Sequence, residues 1–548
     1  MLSTMMDEPL GTRLIVDRGE RLFGDSMVQT FDGSRLSTAT YAEVGERARR
    51  LSAGLLRIGV AAGDRVGTLS WNRQEHLEAY LAVPAMGAVL HTLNIRLFPE
   101  QVGWIIDHAQ DQALIVDSSL LDVFAPVLAA RPSVRALIVV GEFDDRVTAD
   151  FHGDVMGYEE LLDSTPHGSW PVLDERSAAA MCYTSGTTGN PKGVVYSHRS
   201  IFLHSLASLA TDSFGVSNQD RILMIPAMFH ANAWGLPFSG WLAGADMIMP
   251  GPHLQPEKLQ TMIAAGRPTV TAAVPTILND LLALGEERAV DLSSFRAIIA
   301  GGSSVSKQLI DRMKSRFGVD VVQGWGMTET SPMCVLSNPP RGTPPAEASA
   351  WRAKSGRPVP GMQVRIVDDR GEPVAEDGQA VGKLQLRGPW VAAGYYRQDA
   401  GSSPITPDGW LETGDVGSID PLGYVQITDR NKDLIKSGGE WISSIELETE
   451  IARIPEVADV AVVAVADPRW EERPLALVVW SGSSPCDFPQ LRSVLAKKMA
   501  RFMIPEYWGQ VAELPRTSVG KTDKQQLRIQ VKSGAITFEK TTEFGALN

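Results

Sequence analysis

Two short stretches of the 548-residue chain combine glycine, hydroxyl and charged side chains in a way that suits phosphate chemistry. The first, residues 183–193, reads YTSGTTGNPKG, and the second, residues 324–330, reads GWGMTET. A loop of the first kind can wrap a polyphosphate with backbone N–H groups, several hydroxyls and one lysine. ATP is therefore the predicted ligand.

Two other nucleotide motifs do not fit. A P-loop needs Gly, four residues and then Gly-Lys-Ser/Thr. Neither the first stretch nor the Gly520-Lys521-Thr522 triplet has this spacing, since Pro515 stands where the first glycine of the triplet's motif belongs. No Gly-x-Gly-x-x-Gly turn follows a strand-like run, so NAD is not the expected nucleotide.

Together the two stretches resemble the signature of adenylate-forming enzymes, and the chain is similar to the acyl-CoA synthetase branch of that superfamily from about residue 40 to residue 528. The resemblance implies an acid–thiol ligase that uses ATP and Mg²⁺. Such an enzyme converts a carboxylate and ATP to acyl-AMP and pyrophosphate, and then transfers the acyl group to CoA as AMP leaves.

The resemblance also assigns a nucleotide site, with Trp325 on the adenine ring, Thr328 on the α-phosphate and the pair Asp415 and Arg430 on the ribose. A carboxylate suits the ribose because it can accept hydrogen bonds from both hydroxyls. Thr184 and Glu329 are the expected ligands of Mg²⁺, a cation that prefers oxygen. The implied cofactor-binding positions are Thr184, Ser185, Gly186, Thr187, Thr188, Gly189, Lys192, Gly301, Gly302, Gly324, Trp325, Gly326, Met327, Thr328, Asp415, Arg430, Gly438 and Gly439.

The C-terminal part of the chain resembles the family's catalytic lysine motif at residues 515–521. The resemblance implies that Lys521 bridges the attacking carboxylate and the α-phosphate during adenylation. Lys436, counted with the catalytic residues, precedes Gly438 and Gly439 in a loop similar to the one that lines the pantetheine tunnel, and Lys432 takes the hinge position. Residues 472–474 also match the family, although Glu471 replaces a glycine.

The acyl end of the site is expected at residues 228–235, which read MFHANAWG. The resemblance places His230 beside the substrate carboxylate and Trp234 at the gate of a fatty-acid tunnel. Gly326 is expected among the substrate-binding residues. Metal binding by His230 is not expected, because no His-Glu-x-x-His spacing accompanies it. A medium- or long-chain fatty acid is the expected substrate, which indicates fatty acid metabolism. A short thioether acid such as methylmercaptopropionate, or an aryl acid, is the alternative.

Two other classes of function stay open at this point. One is an adenylating enzyme that loads a carrier protein, although the loop from Lys436 to Glu440 favours free CoA. The other is a nucleotide-binding protein without catalysis, which the presence of Lys521, Glu329 and Arg430 disfavours.

The composition limits partners and compartment. A formal net charge of −14 disfavours binding to nucleic acid or to an anionic membrane. Three widely spaced cysteines predict neither a disulfide framework nor a zinc site. Residues 1–8 lack the features of a secretory signal and no apolar run is long enough to span a membrane, so a cytoplasmic enzyme is expected. The resemblance implies a homodimer.

Alternating apolar and amphipathic runs predict an α/β fold with helices layered on largely parallel sheets. The expected architecture is a large N-terminal domain of layered α/β subdomains plus a small β-barrel region, followed by a smaller, mobile α+β C-terminal domain. We predict domains at 1–430 and 431–548, with a hinge near 429–433, and a loosely attached tail at 532–548. We predict strands at 178–183 and 319–323, directly before the two motifs. Because ligands of such sheets bind at the loops beyond the strand ends, this position suits a nucleotide site.

Overall fold

The computed structural model of the chain describes residues 3–166, 168–184, 190–398, 403–430, 433–437, 440–482, 487–517 and 521–541. The α/β class is confirmed, with a larger N-terminal part and a smaller C-terminal part. Two compact units are present: Met1–Gln363 with Leu386–Leu411, and Val364–Gln385 with Glu412–Asn548. The hinge near 429–433 stays a prediction.

Local sequence signals account for several helix starts; α2, for example, starts behind a capping box of Thr40 and Glu43. The helices are α1 (Thr12–Leu22), α2 (Tyr41–Arg57), α3 (Gln74–Ala85), α4 (Pro99–Ala109), α5 (Leu121–Ala129), α6 (Tyr158–Leu162), α7 (His198–Leu209), α8 (Leu236–Ala243), α9 (Pro256–Gly266), α10 (Pro275–Glu287), α11 (Lys307–Phe317), α12 (Ala348–Arg352), α13 (Ser444–Ile451), α14 (Phe488–Leu495) and α15 (Lys524–Lys532).

The strands of the larger unit come first in the chain and those of the smaller unit follow. They are β1 (Met27–Phe31), β2 (Leu36–Thr40), β3 (Arg65–Leu69), β4 (Val89–Thr92), β5 (Asp111–Asp117), β6 (Ala136–Val140), β7 (Asp154–Gly157), β8 (Ala178–Tyr183), β9 (Gly193–Ser197), β10 (Arg221–Leu223), β11 (Asp246–Met249), β12 (Val270–Ala273), β13 (Ala297–Ala300), β14 (Val321–Gly326), β15 (Met333–Leu336), β16 (Arg357–Pro358), β17 (Gln363–Val367), β18 (Gly382–Arg387), β19 (Leu411–Ile419), β20 (Val425–Arg430), β21 (Ile435–Ser437), β22 (Glu440–Ile442), β23 (Val457–Asp467), β24 (Glu471–Trp480), β25 (Tyr507–Gln510) and β26 (Glu539–Lys540).

The larger unit contains two sheets, each of which is parallel in its middle. Seven strands follow the order β7-β6-β5-β3-β4-β8-β9, and nine follow the order β16-β15-β14-β13-β12-β10-β11-β1-β2. Strands β8 and β14, which lead into the two motifs, each have one parallel and one antiparallel neighbour. β8 is parallel to β4 and antiparallel to β9, and β14 is parallel to β13 and antiparallel to β15. Each predicted phosphate stretch therefore begins in the last residues of one of these strands, at its carboxyl end.

The smaller unit combines two sheets. The β region predicted after residue 355 is a sheet of order β17-β18-β19-β20, and the C-terminal sheet has the order β22-β21-β24-β25-β26 with β23 beside β24. Its core joins buried apolar residues of α13, α14 and the central strands, including Leu447, Leu491 and Trp508.

The predicted tail at 532–548 is not loosely attached over its whole described length. Strand β26 pairs with β25, placing Lys540 opposite Tyr507, and the Lys540 ammonium lies 3.2 Å from the carboxylate of Asp467. The hydrophobic pattern could not indicate this pairing because two residues are too short for a period. Across the described residues, no helix combines the length and apolar character needed to cross a membrane.

Candidate functional site

The first phosphate stretch forms the connection of a β-hairpin. Tyr183 at the end of β8 lies opposite Gly193 at the start of β9. Across the base of the hairpin, the N–H of Thr184 donates to the carbonyl of Lys192 at 2.9 Å, and the N–H of Lys192 donates to the Thr184 hydroxyl at 3.3 Å. Thr184 and Lys192, both predicted to contact phosphate, thus lie next to each other at the base of the hairpin. Ser185, Gly186, Thr187, Thr188 and Gly189 lie outside the described residues.

The second stretch depends on the absence of a side chain at Gly326. A Cβ at this position would overlap the backbone carbonyl of Pro332, which follows in the same turn. Glycine is therefore required, because backbone cannot yield as a side-chain tip can. The turn then places Thr328 and Glu329 in a short 3₁₀ segment, both of them buried.

Between them, two tyrosines outside the stretches contact residues of both and bring their polar groups into one region. The Tyr196 hydroxyl on β9 donates to the carbonyl of Thr328 at 2.8 Å. The Tyr395 hydroxyl donates to Oε1 of Glu329 at 2.6 Å, and the Lys192 ammonium lies 4.8 Å from the centre of the Tyr395 ring. Burial, and secondarily Glu329, raises the pKa of Tyr395, so this residue stays a donor. The sequence analysis missed Tyr395 and Tyr196, because neither lies within a motif.

Glu329 has the surroundings of a cation ligand. Its side chain is largely inaccessible, with 6% relative exposure, and among the residues that the structure describes no lysine or arginine lies within ion-pair distance of it. A buried carboxylate without a cationic partner is unfavourable unless another positive charge satisfies it. No cluster of three possible metal-binding side chains occurs in the described part of the chain. Glu329 could supply one oxygen ligand to a divalent cation.

The predicted acyl segment adopts an unusual backbone. Five consecutive residues after His230 have positive φ angles: Ala231 (44°), Asn232 (51°), Ala233 (49°), Trp234 (59°) and Gly235 (75°). Each non-glycine residue in this region costs roughly 1–2 kcal/mol, so the surrounding structure must hold the turn in place. We call residues 231–235 the acyl turn. Nothing in the sequence predicted its handedness.

Buried polar contacts hold the acyl turn through Asn232. Its amide oxygen lies 3.3 Å from the Tyr80 hydroxyl, 3.1 Å from the Cys182 thiol and 3.5 Å from the Thr92 hydroxyl. Burial raises the pKa of Cys182 to about 11, so the thiol stays protonated and can donate. These donors come from α3, β8 and β4, which makes the turn part of the sheet core. Asparagine also tolerates the left-handed region better than most residues.

The acyl turn also approaches the predicted adenine site. A Cβ on Gly301 would lie 3.1 Å from the ring of Trp234 and 2.8 Å from the carbonyl of Gly324. Gly301 is therefore fixed as glycine by both neighbours, and Gly302 beside it has a φ of 82°. The structure thus gathers the predicted residues Trp234, Gly301 and Gly324, while Trp325 and Met327 flank Gly326 in the same strand and turn.

The ring of His204 packs against the acyl turn at Gly235. The N–H of Met333 donates to its Nε2 at 3.3 Å, and a Cβ on Gly235 would collide with its ring. Burial lowers the pKa of His204 to about 3, so the ring is neutral and can accept. His204 was not among the predicted site residues.

In the smaller unit, the predicted ribose pair is placed by strand register. Asp415 on β19 lies opposite Arg430 on β20. The Asp415 side chain is buried, and the backbone N–H of Asp415 donates to the Thr413 hydroxyl at 3.0 Å. The side chain of Arg430 and the predicted hinge residue Lys432 lie outside the described residues.

The predicted CoA loop begins on β21, where the backbone of Lys436 pairs with that of Trp441. The Lys436 side chain, Gly438 and Gly439 lie outside the described residues. Next to Lys436, the Ser437 hydroxyl accepts from the buried guanidinium of Arg473 at 2.9 Å. Arg473 thereby anchors this strand to the core of the unit.

Glu471, which replaces a glycine of the family pattern, also has an unusual backbone conformation. Glu471 has a φ of 68°, in the region that favours glycine.

Two described residues of the lysine motif are hydrogen-bonded to each other. The backbone N–H of Thr517 donates to the carbonyl of Lys521 at 2.7 Å, and the backbone N–H of Lys521 donates to the Thr517 hydroxyl at 3.2 Å. Residues 518–520 lie outside the described residues.

Comparison with known families agrees with this geometry. Residues 23–396 match the AMP-binding enzyme family, and residues 446–521 match the AMP-binding enzyme C-terminal domain. Among curated relatives, the long-chain-fatty-acid–CoA ligase of Thermus thermophilus is 43% identical, over 97% of this chain and 97% of its own. The 3-methylmercaptopropionyl-CoA ligase of Ruegeria pomeroyi is 40% identical, over 97% and 99%. The medium-chain-fatty-acid–CoA ligase of Ectopseudomonas oleovorans is 38% identical, over 96% and 97%.

Solved structures share the fold along the whole chain. The anthranilate CoA ligase AuaEII in complex with anthranoyl-AMP has a TM-score of 0.86 at 25% identity, covering 98% of this chain and 100% of that one. ATP-bound MatB from Rhodopseudomonas palustris has a TM-score of 0.81 at 26% identity, covering 95% and 99%. Fold and site thus define an adenylate-forming enzyme that uses ATP. The chain belongs to the AMP-binding enzyme family and is an AMP-forming acyl-CoA ligase, an acid–thiol ligase.

Proposed function

We propose that the enzyme activates medium- or long-chain fatty acids as acyl-AMP and transfers the acyl group to CoA. The observation that carries this proposal is the acyl turn with its flanking residues. Apart from His230, residues 228–235 contain no titratable side chain, and Met228, Phe229, Ala231 and Ala233 are buried and apolar. Such a segment offers no charged group that could bind a second polar end of the acid. An apolar tail is the substrate chemistry that fits.

The residues on the larger unit would supply the nucleotide and acyl contacts. Thr184, Lys192 and the loop between them are proposed to bind the β- and γ-phosphates, and Trp325 with Gly301 and Gly302 the adenine. Their role is electrostatic, because oriented donors and cations offset the repulsion between a carboxylate and a triphosphate. His230 would orient the carboxylate towards the α-phosphate.

Glu329 and Thr184 would hold Mg²⁺, which fits the buried carboxylate of Glu329, beside which the described part of the chain places no lysine or arginine within ion-pair distance. The ion would neutralise phosphate charge. We also propose that Asp415 and Arg430 bind the ribose, Lys521 serves adenylation, and Lys436 with Gly438 and Gly439 serves thioester formation after movement about Lys432. A cytoplasmic homodimer with domains 1–430 and 431–548 belongs to the same proposal.

A panel of carboxylic acids tests this function. AMP release is measured with ATP, Mg²⁺ and CoA for straight-chain acids from butyrate to palmitate, for methylmercaptopropionate and for benzoate. We expect kcat/KM to rise with chain length, because each buried methylene adds about 0.8 kcal/mol. Release of ADP and orthophosphate in place of AMP would reject the reaction itself.

The thioether acid is the second candidate, favoured by the 40% identity to a methylmercaptopropionyl-CoA ligase. A higher kcat/KM for methylmercaptopropionate than for any straight-chain acid would favour it. Thioester formation on a carrier protein but not on free CoA would instead favour a carrier-loading enzyme.

A further inference from the structure

One short segment holds both phosphate stretches. In residues 392–396, which we call the 392–396 segment, the N–H of Ala392 donates to the backbone carbonyl of Glu329 at 2.7 Å. The hydroxyl of Tyr395 donates to the Glu329 carboxylate at 2.6 Å. The N–H of Tyr396 donates to the carbonyl of Gly193 at 2.8 Å, at the end of the phosphate hairpin.

Tyr395 is the member of this segment that faces both charged groups. Its hydroxyl donates to Oε1 of Glu329, and the centre of its ring lies 4.8 Å from the ammonium nitrogen of Lys192. A ring at this distance attracts a cation and restricts a long, flexible side chain. A hydrogen bond to one carboxylate oxygen fixes the orientation of the other oxygen.

We propose that Tyr395 is a positioning residue that aims the free oxygen of Glu329 at Mg²⁺ and holds Lys192 over the phosphates, so that the two cations act on the same triphosphate. This inference rests on the proposed function and deepens it. Tyr395 takes no part in bond making. Its contribution is the orientation of two groups that are 137 positions apart in sequence, since Glu329 and Lys192 come from different hairpins.

The test separates the hydroxyl from the ring. Tyr395→Phe keeps the ring beneath Lys192 and removes only the donor to Glu329, whereas Tyr395→Leu removes both. A matched control is Tyr158→Phe, because the Tyr158 hydroxyl donates to the buried Glu78 carboxylate at 2.7 Å elsewhere in the same unit. All variants are compared as full-length protein, and their thermal midpoints without ligand report general structural effects.

The main readout is metal-dependent nucleotide binding in the absence of an acid substrate. A non-hydrolysable ATP analogue is held constant while Mg²⁺ is titrated, and the rise in thermal midpoint is recorded; AMP binding is measured separately in EDTA. We expect Tyr395→Phe to raise the Mg²⁺ concentration at half-effect on the order of tenfold. AMP binding should not change. Tyr158→Phe should lower the ligand-free midpoint and leave the Mg²⁺ titration as in the wild type.

Tyr395→Leu should further weaken binding of the ATP analogue relative to AMP, because the ring under Lys192 is lost as well. In a Glu329→Gln background, Tyr395→Phe should add no further change, as the two residues act on one ligand position. A wild-type Mg²⁺ titration for Tyr395→Phe, or an equal loss of AMP binding, would overturn the proposal. A wild-type enzyme without any Mg²⁺-dependent stabilisation by the ATP analogue would instead contradict the proposed function.

Discussion

The amide oxygen of Asn232 accepts a hydrogen bond from the thiol of Cys182 at 3.1 Å, which joins the acyl turn to the strand that leads into the phosphate hairpin. Cys182 stands two residues before Thr184 on that strand. The elements proposed to bind the two substrates of the first half-reaction thus share a buried polar contact.

Substitutions of Asn232 should separate backbone strain from hydrogen bonding. Asn232→Gly tolerates the φ of 51° and loses only the side-chain contacts, so the free energy of unfolding should fall by about 1–3 kcal/mol. Asn232→Val should be worse, because a β-branched residue is disfavoured at positive φ. Urea unfolding measures both. Equal stability of the two variants would show that the left-handed backbone is not under strain.

Gly326 should not accept a side chain. Gly326→Ala would place a Cβ against the carbonyl of Pro332 and should lower the unfolding free energy by about 3 kcal/mol or more, with loss of ATP binding. Gly394 is the matched control, since an added Cβ would meet open space there. Thermal unfolding and ATP titration of both variants check this, and a Gly326→Ala protein that binds ATP normally would contradict the geometry.

The stability of the enzyme should fall in mild acid because of His204. Its pKa is lowered by burial from 6.5 to about 3, so the unfolded state binds the proton first as pH falls. The native state therefore loses stability below pH 6.5, by about 2 kcal/mol between pH 6.5 and 5 from this residue. Above pH 6.5 its contribution is constant.

His204→Gln tests this, since the glutamine amide oxygen can still accept from the N–H of Met333 and does not titrate. The difference in unfolding free energy between pH 6.5 and 5 should be smaller in the variant than in the wild type by that amount. Equal pH dependence of the two proteins would remove His204 from the explanation.

Glu471→Gly should stabilise the protein. The change relieves a left-handed φ of 68° worth roughly 1–2 kcal/mol and adds backbone entropy to the unfolded chain worth about 0.5–1 kcal/mol. The neighbouring Glu472→Gly gains no such relief and should be destabilising. Denaturant midpoints of the two variants decide the matter, and equal losses would mean that other Glu471 contacts outweigh the strain.

Lys521→Ala should affect the two half-reactions differently. Acyl-AMP formation, followed as pyrophosphate release, should fall by several orders of magnitude if the ammonium joins the carboxylate to the α-phosphate. Transfer from supplied acyl-AMP to CoA should be largely retained. Equal loss in both steps would contradict the role proposed for Lys521.

The elements that the sequence predicted well are those with a strong local signal. Helix α2 has its capping box and helical period, β8 is an apolar run, and β13 is an apolar run followed directly by Gly301. The acyl turn was not predictable, because alanine and tryptophan do not indicate positive φ and tertiary contacts of Asn232 impose it. Tyr395 was missed for a related reason: its partner Glu329 is 66 positions away, and no local pattern records that distance.

The parallel pairing of β1 with β11 has a consequence for biosynthesis. Val28 lies beside Met247, so β1 must await a partner strand that is synthesised about 220 residues later. At a translation rate of about 5–20 residues per second, that delay is roughly ten to forty seconds. Until then only β2 shields one edge of β1, and the other edge is open to aggregation or to a chaperone.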